Sequence, residues 1–443
     1  MLAANLKQIQ QFFVHPHSSL QLPWNSLLLG LLILPINPFF GAIAIGWASY
    51  KTWRKKYSSI QRKTLNHLLV ILSFWFLITT GFTVFARDQP DTLLGLFNFL
   101  PYFVVFAGLT PLITTVSQLR QLTWIIVWSS LPVVIIGLGQ LFLGWHARWQ
   151  FLSVVVNLTI DPGGEPLAIY LGGEPLVRMS SVFMNPNTLA AYLITVLILG
   201  LGLWLENYHK IRKKANPLGF IFLSVVIIAN FLALILTGSR NGWGIAVMAC
   251  IAYALYQGWR LIIAGVIGLT TSIILASFAT ERIASVFRSF VPRFIWARLN
   301  SDTPLALMRK TQWQFAWDLT LQQPLSGWGL RSFPHLYEQK MGVSVNHPHN
   351  LFLMLSAETG LVTTCLFLVF LAWILIAAIK FWYKCSLPKE NRLVFLSYLL
   401  AFIGWIMFNM ADVTTFDLIL SALFWVILAA LYGAAHRYEG SHH

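Results

Sequence analysis

Positions 351–379 read LFLMLSAETGLVTTCLFLVFLAWILIAAI, and Glu358 is the single charged residue among them. About 20 apolar residues are enough for a helix to cross the hydrocarbon core of a bilayer, so this stretch predicts a membrane-spanning helix. Comparable stretches recur along the chain and predict spans at 66–86, 92–113, 122–143, 186–205, 217–236, 242–258, 261–279, 353–379, 393–411 and 414–433. We therefore expect a polytopic membrane protein.

The composition favours the same class of protein. Of the 443 residues, 57% are hydrophobic and only 10% are charged, whereas about a quarter of the residues of soluble domains are charged. Residues 1–23 contain one lysine and no apolar core with a cleavage site, so no cleaved signal peptide is expected. No disulfide framework and no metal site are expected, because the three cysteines lie in or beside apolar stretches: Cys250, Cys365 and Cys385.

One further apolar stretch, 24–50, is interrupted by Pro35-Ile-Asn-Pro38. Each half has about 12 residues, or roughly 18 Å of helix, which is short of the roughly 30 Å hydrocarbon core. We interpret the stretch as two short helices in a hairpin, with one long kinked span as the alternative. The predicted fold is then all-α, with about twelve transmembrane helices.

Three basic clusters indicate the orientation of these helices. Short basic loops next to spans belong on the cytoplasmic side. All three clusters, and both termini, fall on that side when the spans alternate. The clusters are Lys51, Arg54, Lys55, Lys56, Arg62 and Lys63; Lys210, Arg212, Lys213 and Lys214; and Lys380, Lys384, Lys389 and Arg392. We interpret them as topology anchors rather than as sites for nucleic acid or lipid, and no nucleic-acid partner is expected.

The predicted topology leaves two long segments outside, about 144–185 and 280–350. It divides the chain into N-terminal transmembrane helices (1–279), a large external loop (280–350) and C-terminal transmembrane helices (351–443). Segment 280–350 has eight basic and four acidic residues, a net charge of +4. Part of it has an apolar stripe typical of helices that lie along the membrane surface. The charge indicates an anionic substrate, with the headgroups of membrane lipids as the alternative partner.

Several polar residues on the external side are candidates for substrate binding. Arg240 lies between Gly238 and Gly242 at a predicted external turn, where the backbone can approach a phosphate closely. The alternative is that Arg240 reaches out to lipid headgroups. Arg178 and Asn187 border the other external segment and are predicted substrate contacts. Asn185, Asp412 and Asp417 are expected to cap helices or to form local hydrogen bonds.

His349 is the candidate catalytic base. It lies in His347-Pro-His-Asn350, where the polar loop meets the apolar stretch, and an imidazole at a water–lipid boundary can accept a proton. The alternative is a structural hydrogen-bond donor, and His347 and His335 are competing histidines. Glu358 points away from His349 on a regular helix, so we interpret it as a partner of an external arginine.

The order and spacing of these residues resemble the O-antigen ligase family, which includes O-antigen polymerases and protein O-oligosaccharyltransferases. The ligase signature is His-Asn, nine residues and Gly-x-x-Thr, and this chain has His349-Asn350 and Gly360-Leu-Val-Thr363 at that spacing. The further motifs are Ser239-Arg240 with Trp243, Arg309 ahead of Trp313, Pro324 through Gly327 with Gly329, and Asn185-Pro-Asn187.

The resemblance implies a glycosyltransferase of the bacterial cytoplasmic membrane, with its active site on the periplasmic side. Its donor would be a glycan on undecaprenyl diphosphate, and its acceptor a hydroxyl of a glycan, lipid or protein. No metal and no other cofactor would be needed. By position, His349 resembles the base that deprotonates the acceptor, and Arg240 and Arg309 resemble diphosphate-binding arginines. Arg178, Asn350 and Asn187 are further expected substrate contacts.

Other functions stay open at this point. A glycan polymerase of the same family would use the same site, and one branch of the family has been labelled as inorganic-carbon transporters. A bicarbonate or small-anion transporter coupled to ions would place ionisable residues near the membrane centre. Glu358 and Asp417 are the only acidic residues in the predicted spans, and both lie near an external boundary. A purely structural membrane protein would leave the external positive charge unexplained.

Overall fold

A computed structural model describes residues 13–87, 92–145, 148–150, 157–159, 178–211, 217–300, 303–385 and 387–439. Almost all of these residues are helical, as the all-α prediction requires. The exceptions include one antiparallel pair of three-residue strands, β1 (Arg148–Gln150) and β2 (Asn157–Thr159), which pairs Trp149 with Leu158. Most of the predicted external segment 144–185 lies outside the described residues.

The helices in chain order are α1 (Gln21–Ile33), α2 (Pro38–Gln61), α3 (Thr64–Arg87), α4 (Thr92–Gly95), α5 (Leu100–Leu109), α6 (Val116–Leu143), α7 (Pro186–Ile211), α8 (Leu218–Leu236), α9 (Arg240–Gln257), α10 (Arg260–Phe278), α11 (Glu281–Arg288), α12 (Arg293–Asn300), α13 (Thr303–Gln322), α14 (Ser332–Met341), α15 (Leu351–Lys384), α16 (Lys389–Asn409) and α17 (Leu418–Glu439). Single 3-10 turns occur at Ser18–Leu20 and Leu96–Asn98.

Nine helical segments of the described chain are long and apolar enough to cross a membrane, fewer than the twelve predicted. They are α3, α4 joined to α5, α6, α7, α8, α10, α15, α16 and α17. The other three predicted crossings correspond to α1, α2 and α9. Helix α1 has only 13 residues, α2 carries four of the six residues of the first basic cluster in its second half, and α9 begins with Arg240-Asn-Gly. Shortness or polar content keeps these three helices out of the set of candidate spans.

The predicted hairpin at the N-terminal end is correct, and the single kinked span is wrong. Helices α1 and α2 pack against each other closely at Gly30 and Gly41, where an added Cβ would meet the opposite helix. Asn37 begins α2 by accepting a hydrogen bond from the Phe40 amide at 3.2 Å. Helix α2 is longer than the expected 12 residues because the helix continues through the basic residues to Gln61.

Helix α17 lies at the centre of the bundle and α10 at its edge. In the apolar 18-residue stretch of each helix, 94% of the residues are buried in α17 and only 11% in α10. A polar turn, 410–417, leads into α17 from α16. The central helix therefore presents this turn at one end of the bundle, the end that the basic clusters predict to be external.

Helix α15 is broken at Gly360, where φ is 80° and ψ is 169°. The break leaves backbone groups without helical partners, and the loop 324–329 supplies replacements. Trp328 N–H donates to the Ala357 carbonyl at 2.9 Å, Gly329 N–H donates to the Glu358 carbonyl at 2.8 Å, and the Pro324 carbonyl accepts from Leu361 N–H at 2.7 Å. A Cβ at Gly360 would overlap the Leu325 carbonyl. Two sequence motifs, 324–329 and 360–363, thus form one structural unit that holds the first part of α15.

Candidate active site

A cavity of about 260 Å³ lies at the predicted external end of the bundle. Its walls come from the loop before α7, the α8–α9 turn, α12, α13, the loop before α15 and the turn before α17. Five of the six predicted site residues line it: Arg178, Asn187, Arg240, Arg309 and His349. Residues far apart in the sequence therefore meet around one cavity.

The backbone holds His349 in an uncommon conformation. Its φ is 52°, in the left-handed region that few residues other than glycine occupy. The amide of His349 donates to Nδ1 of His347 at 3.2 Å, and the next residue, Asn350, begins α15. Strained backbone of this kind persists only where its surroundings enforce it, and it is common at functional sites.

Asp412 is the partner of the His349 ring. Nδ1 of His349 lies 3.2 Å from Oδ1 of Asp412, and the aspartate is buried while the imidazole is 31% exposed. A proton on Nδ1 that donates to this carboxylate leaves Nε2 as the basic nitrogen, available to a molecule in the cavity. This is the arrangement by which a carboxylate orients a general base.

The pKa of Asp412 reflects competing influences. Burial opposes its ionisation, but the hydrogen bond with His349, the charges of His347 and His349, and the Val413 amide together lower the pKa below its usual value. The carboxylate is therefore ionised at neutral pH, and it can stabilise a positive charge on His349.

A chain of hydrogen bonds extends from the same carboxylate. Asn187 donates through Nδ2 to Oδ2 of Asp412 at 2.8 Å, and its Oδ1 accepts from Arg178 at 2.8 Å. Arg178 also donates through Nε to the Thr237 carbonyl at 2.6 Å. Asn185 caps α7, as predicted, by accepting from the amides of Asn187 and Thr188. Arg178 and Asn187 therefore help to position Asp412, in addition to bordering the cavity.

Four arginines surround the cavity: Arg178, Arg240, Arg298 and Arg309. Ser239 caps α9 so that Arg240 is its first residue. Arg298 donates through Nε to the Gly238 carbonyl at 3.2 Å, and a Cβ on Gly238 would lie 3.3 Å from Nε of Arg178. Among the described residues that line the cavity, Asp412 is the single acidic one and four are arginines, so this lining is strongly electropositive.

Asn350, the sixth predicted residue, does not line this cavity. Its side chain caps α15 by accepting from the amides of Phe352 and Leu353 at 3.0 and 3.1 Å. It also donates to the Met410 carbonyl at 3.1 Å, which ties the start of α15 to the turn that carries Asp412. The structure thus places Asn350 where it fixes the distance between His349 and Asp412.

Sequence reasoning missed Asp412 and Arg298 as site residues. Asp412 was expected only to form local hydrogen bonds, and it does accept one from the Val413 amide. Its position in a short external turn between apolar spans was the available signal, but nothing in the sequence pairs it with His349. Arg298 is one of several arginines in segment 280–350, and the sequence offers no way to distinguish it.

Glu358 lies away from His349, as predicted. It is buried and accepts a hydrogen bond from the Phe333 amide at 3.4 Å, near the start of α14. Together with Arg331 it lines a separate cavity of about 370 Å³. Glu358 therefore lies outside the cavity that His349 lines, beside an external arginine.

His347, His349 and Asp412 place their ligand atoms within 4.8 Å of one another, close enough to hold a metal ion. Burial lowers the pKa of His347 to about 4; Asp412 opposes this effect, and the charges of His349 and Arg309 add to it. His347 is therefore neutral at pH 7. Four guanidinium groups around the same cavity disfavour a divalent cation by charge repulsion.

Comparison with protein families supports the resemblance inferred from the motifs. Residues 223–368 match the family model described as O-antigen ligase. The matched region includes Arg240, Arg298, Arg309 and His349, whereas Arg178, Asn187 and Asp412 lie outside it. No curated protein matches the chain.

Proposed function

We propose that this protein transfers a glycan from undecaprenyl diphosphate to an acceptor hydroxyl, because residues 223–368 match the O-antigen ligase family model and the chain has several helices able to span a membrane. The observation that carries the proposal is the meeting of a histidine–aspartate pair and four arginines around one cavity. The imidazole can remove a proton from the acceptor, and the guanidinium groups can hold the donor.

The arginines suit the diphosphate of the donor. Guanidinium groups bind phosphate oxygens through paired hydrogen bonds, and their charge stabilises the negative charge that develops on the leaving oxygen. Arg240 and Arg309 are assigned to this contact. A cavity of about 260 Å³ is small for a whole lipid-linked glycan, since pockets for drug-sized ligands begin near 300 Å³. The diphosphate and the sugar next to it would occupy the cavity, with the prenyl chain in the lipid.

The His349–Asp412 pair suits the acceptor. As the acceptor oxygen forms its bond to the anomeric carbon, the bond from that carbon to the diphosphate breaks, and the hydroxyl proton passes to His349. Asp412 orients the ring and stabilises the imidazolium that results. A single displacement of this kind inverts the anomeric configuration. Undecaprenyl diphosphate is released, and the imidazolium then returns its proton to solvent.

The reaction is proposed to need no metal ion, because fixed arginines take the place of a divalent cation at the diphosphate. The site is assigned to the periplasmic side of a bacterial cytoplasmic membrane, with both termini in the cytoplasm. The basic clusters that lie at the opposite end of the described helices support this orientation.

The test uses the purified full chain with an undecaprenyl-diphosphate-linked glycan and a panel of acceptors. We expect a larger glycoconjugate to form in the presence of EDTA, and His349→Ala to abolish it while His67→Ala, an exposed histidine at the opposite end, retains it. Full activity of His349→Ala would remove the proposed base, and loss of activity in EDTA would indicate a bound cation. Growth of the donor glycan itself, without a separate acceptor, would identify a polymerase.

A further inference from the structure

A third cavity, larger than the two described above, lies at the other end of α15. This groove has a volume of about 560 Å³ and is formed by the α2–α3 turn, the last part of α15 and the end of α17. We call it the basic groove, and its lining includes Arg62, Lys63, Val369, Trp373, Ile376 and Lys380. It lies far from His349, because the residues that α15 contributes to it, Val369 to Lys380, come 20 to 31 positions after His349 in the chain.

One side of the basic groove is positively charged. Arg62, Lys63 and Lys380 line it, and in the part of the chain that the structure describes none of them forms an ion pair with a carboxylate. Nζ of Lys63 lies 5.8 Å from the centroid of the Tyr432 ring, and burial lowers the pKa of this amine to about 8. An anion beside Lys63 would offset the cost of burying its charge.

The other side of the groove is apolar and faces outward. Val369, Trp373 and Ile376 are 50%, 41% and 52% exposed, whereas Phe370 and Ile374 of the same helix are fully buried in the bundle. Exposed apolar residues on a membrane-spanning helix face lipid. The groove therefore joins a cluster of cations directly to a surface suited to an acyl chain.

We propose that the basic groove binds an anionic phospholipid, with its phosphate at Lys63, Lys380 and Arg62 and an acyl chain along Val369, Trp373 and Ile376. The amino end of α3 at Thr64 also lines the groove and favours an anion there. A zwitterionic lipid fits less well, because three cations repel its positive headgroup. A free phosphate would leave the apolar wall without a partner.

The first experiment measures lipid retention by the full chain in detergent. The purified protein is stripped of lipid and mixed with phosphatidylglycerol or phosphatidylcholine of the same acyl chains, and bound lipid is counted by native mass spectrometry. We expect phosphatidylglycerol to remain bound and to raise the Tm, and phosphatidylcholine to do neither. Equal retention of the two lipids would overturn the proposal.

Substitutions then place the lipid in the groove. Lys63→Gln and Lys380→Gln should each weaken phosphatidylglycerol binding by about fivefold, the effect expected for one basic residue at a membrane surface. Lys389→Gln is the matched control, because Lys389 is an exposed lysine at the same end but outside the groove. Equal losses in all three variants would indicate general attraction to the membrane and overturn the proposal.

A third experiment distinguishes binding of a lipid from binding of a free anion. Inorganic phosphate and glycerol 3-phosphate should raise the Tm much less than phosphatidylglycerol does, and Trp373→Ala should weaken lipid binding while leaving the response to phosphate unchanged. An equal rise with inorganic phosphate would mean that the groove is an anion site without lipid, contrary to the proposal. The Tm of each variant without lipid confirms that it is folded.

Discussion

The two ends of α15 both carry concentrated positive charge, but the charge is held differently. At the end near His349, Arg178 and Arg298 donate to the backbone of the α8–α9 turn, and a buried aspartate fixes the imidazole. At the other end, Lys63 and Lys380 form no ion pair among the described residues. Rigid, hydrogen-bonded cations suit a reaction in which charge develops at one place. Lysine side chains, with a compact charge on a flexible stem, suit an anionic headgroup that is held by charge attraction without a fixed geometry.

The largest expected effect is on the rate of glycan transfer. It tests whether the pairing of Asp412 with His349 is what sets the His349 end of α15 apart from the other end. Asp412→Asn should lower kcat/KM for glycan transfer by about 10²–10⁴-fold, because asparagine neither orients the ring correctly nor stabilises an imidazolium. The measurement is the initial rate of glycoconjugate formation by folded protein.

Asp417→Asn is the control for this change, because Asp417 lies in the same turn and accepts from the Leu420 amide as a helix cap, which asparagine also provides. We expect it to retain activity. Equal losses in the two variants would mean that the turn, rather than the pairing with His349, is what matters.

The next largest effect is the loss of transfer rate when Arg240, an arginine of the candidate active site, is replaced. Arg240→Ala should lower the rate with the lipid-linked donor by about 10²–10³-fold, as for other donors that stabilise a developing negative charge. Arg240→Lys should recover only part of this loss, because an ammonium group lacks the planar paired donors of arginine. Arg282→Ala, an exposed arginine of α11 outside the cavity, should match the unchanged protein. Full recovery of the transfer rate by Arg240→Lys would contradict this prediction. It would mean that a positive charge alone is enough at the His349 end, as it is at the basic groove.

A pH titration of stability tests His347, the partly buried histidine beside the candidate active site. The pKa of His347 is lowered to about 4, mainly by burial, so the unfolded chain binds its proton more readily than the folded protein does. The contribution of His347 to the free energy of unfolding is therefore full above pH 6.5. It decreases as the pH falls toward about 4, by up to about 3 kcal/mol. The Tm should therefore fall over this range by less in His347→Gln than in the unchanged protein. His335→Gln, an exposed histidine of α14, should leave the profile as it is.

The smallest effect tests whether the two ends are independent. Gly360→Ala forces a Cβ into a left-handed position against the Leu325 carbonyl, at a cost of roughly 1–3 kcal/mol. Transfer activity and Tm should both fall, while phosphatidylglycerol binding at the basic groove persists. Gly46→Ala is the control, since nothing lies within 4 Å of an added Cβ there and alanine favours the helix. Loss of lipid binding in Gly360→Ala would show that the break couples the two ends.

The sequence alone was enough to predict the class of the protein and three central residues of its candidate site. Apolar stretches of about 20 residues predict membrane-spanning helices, because helix formation in lipid depends on local composition. The Pro35-Ile-Asn-Pro38 interruption predicted the hairpin for the same local reason. The spacing of motifs around Arg240, Arg309 and His349 indicated a resemblance to the O-antigen ligase family, and residues 223–368 match the model of that family.

Only the tertiary structure decided how those residues work together. Asp412 and His349 are 63 positions apart, and Arg178 reaches Asp412 through Asn187, so the relation between them depends on how α7, α15 and α16 pack. The same packing places Asn350 as a tether rather than in the cavity, and it makes Gly360 and the loop 324–329 one unit. Local sequence determines which segments form helices, but side chains from distant segments converge only when the helices are assembled.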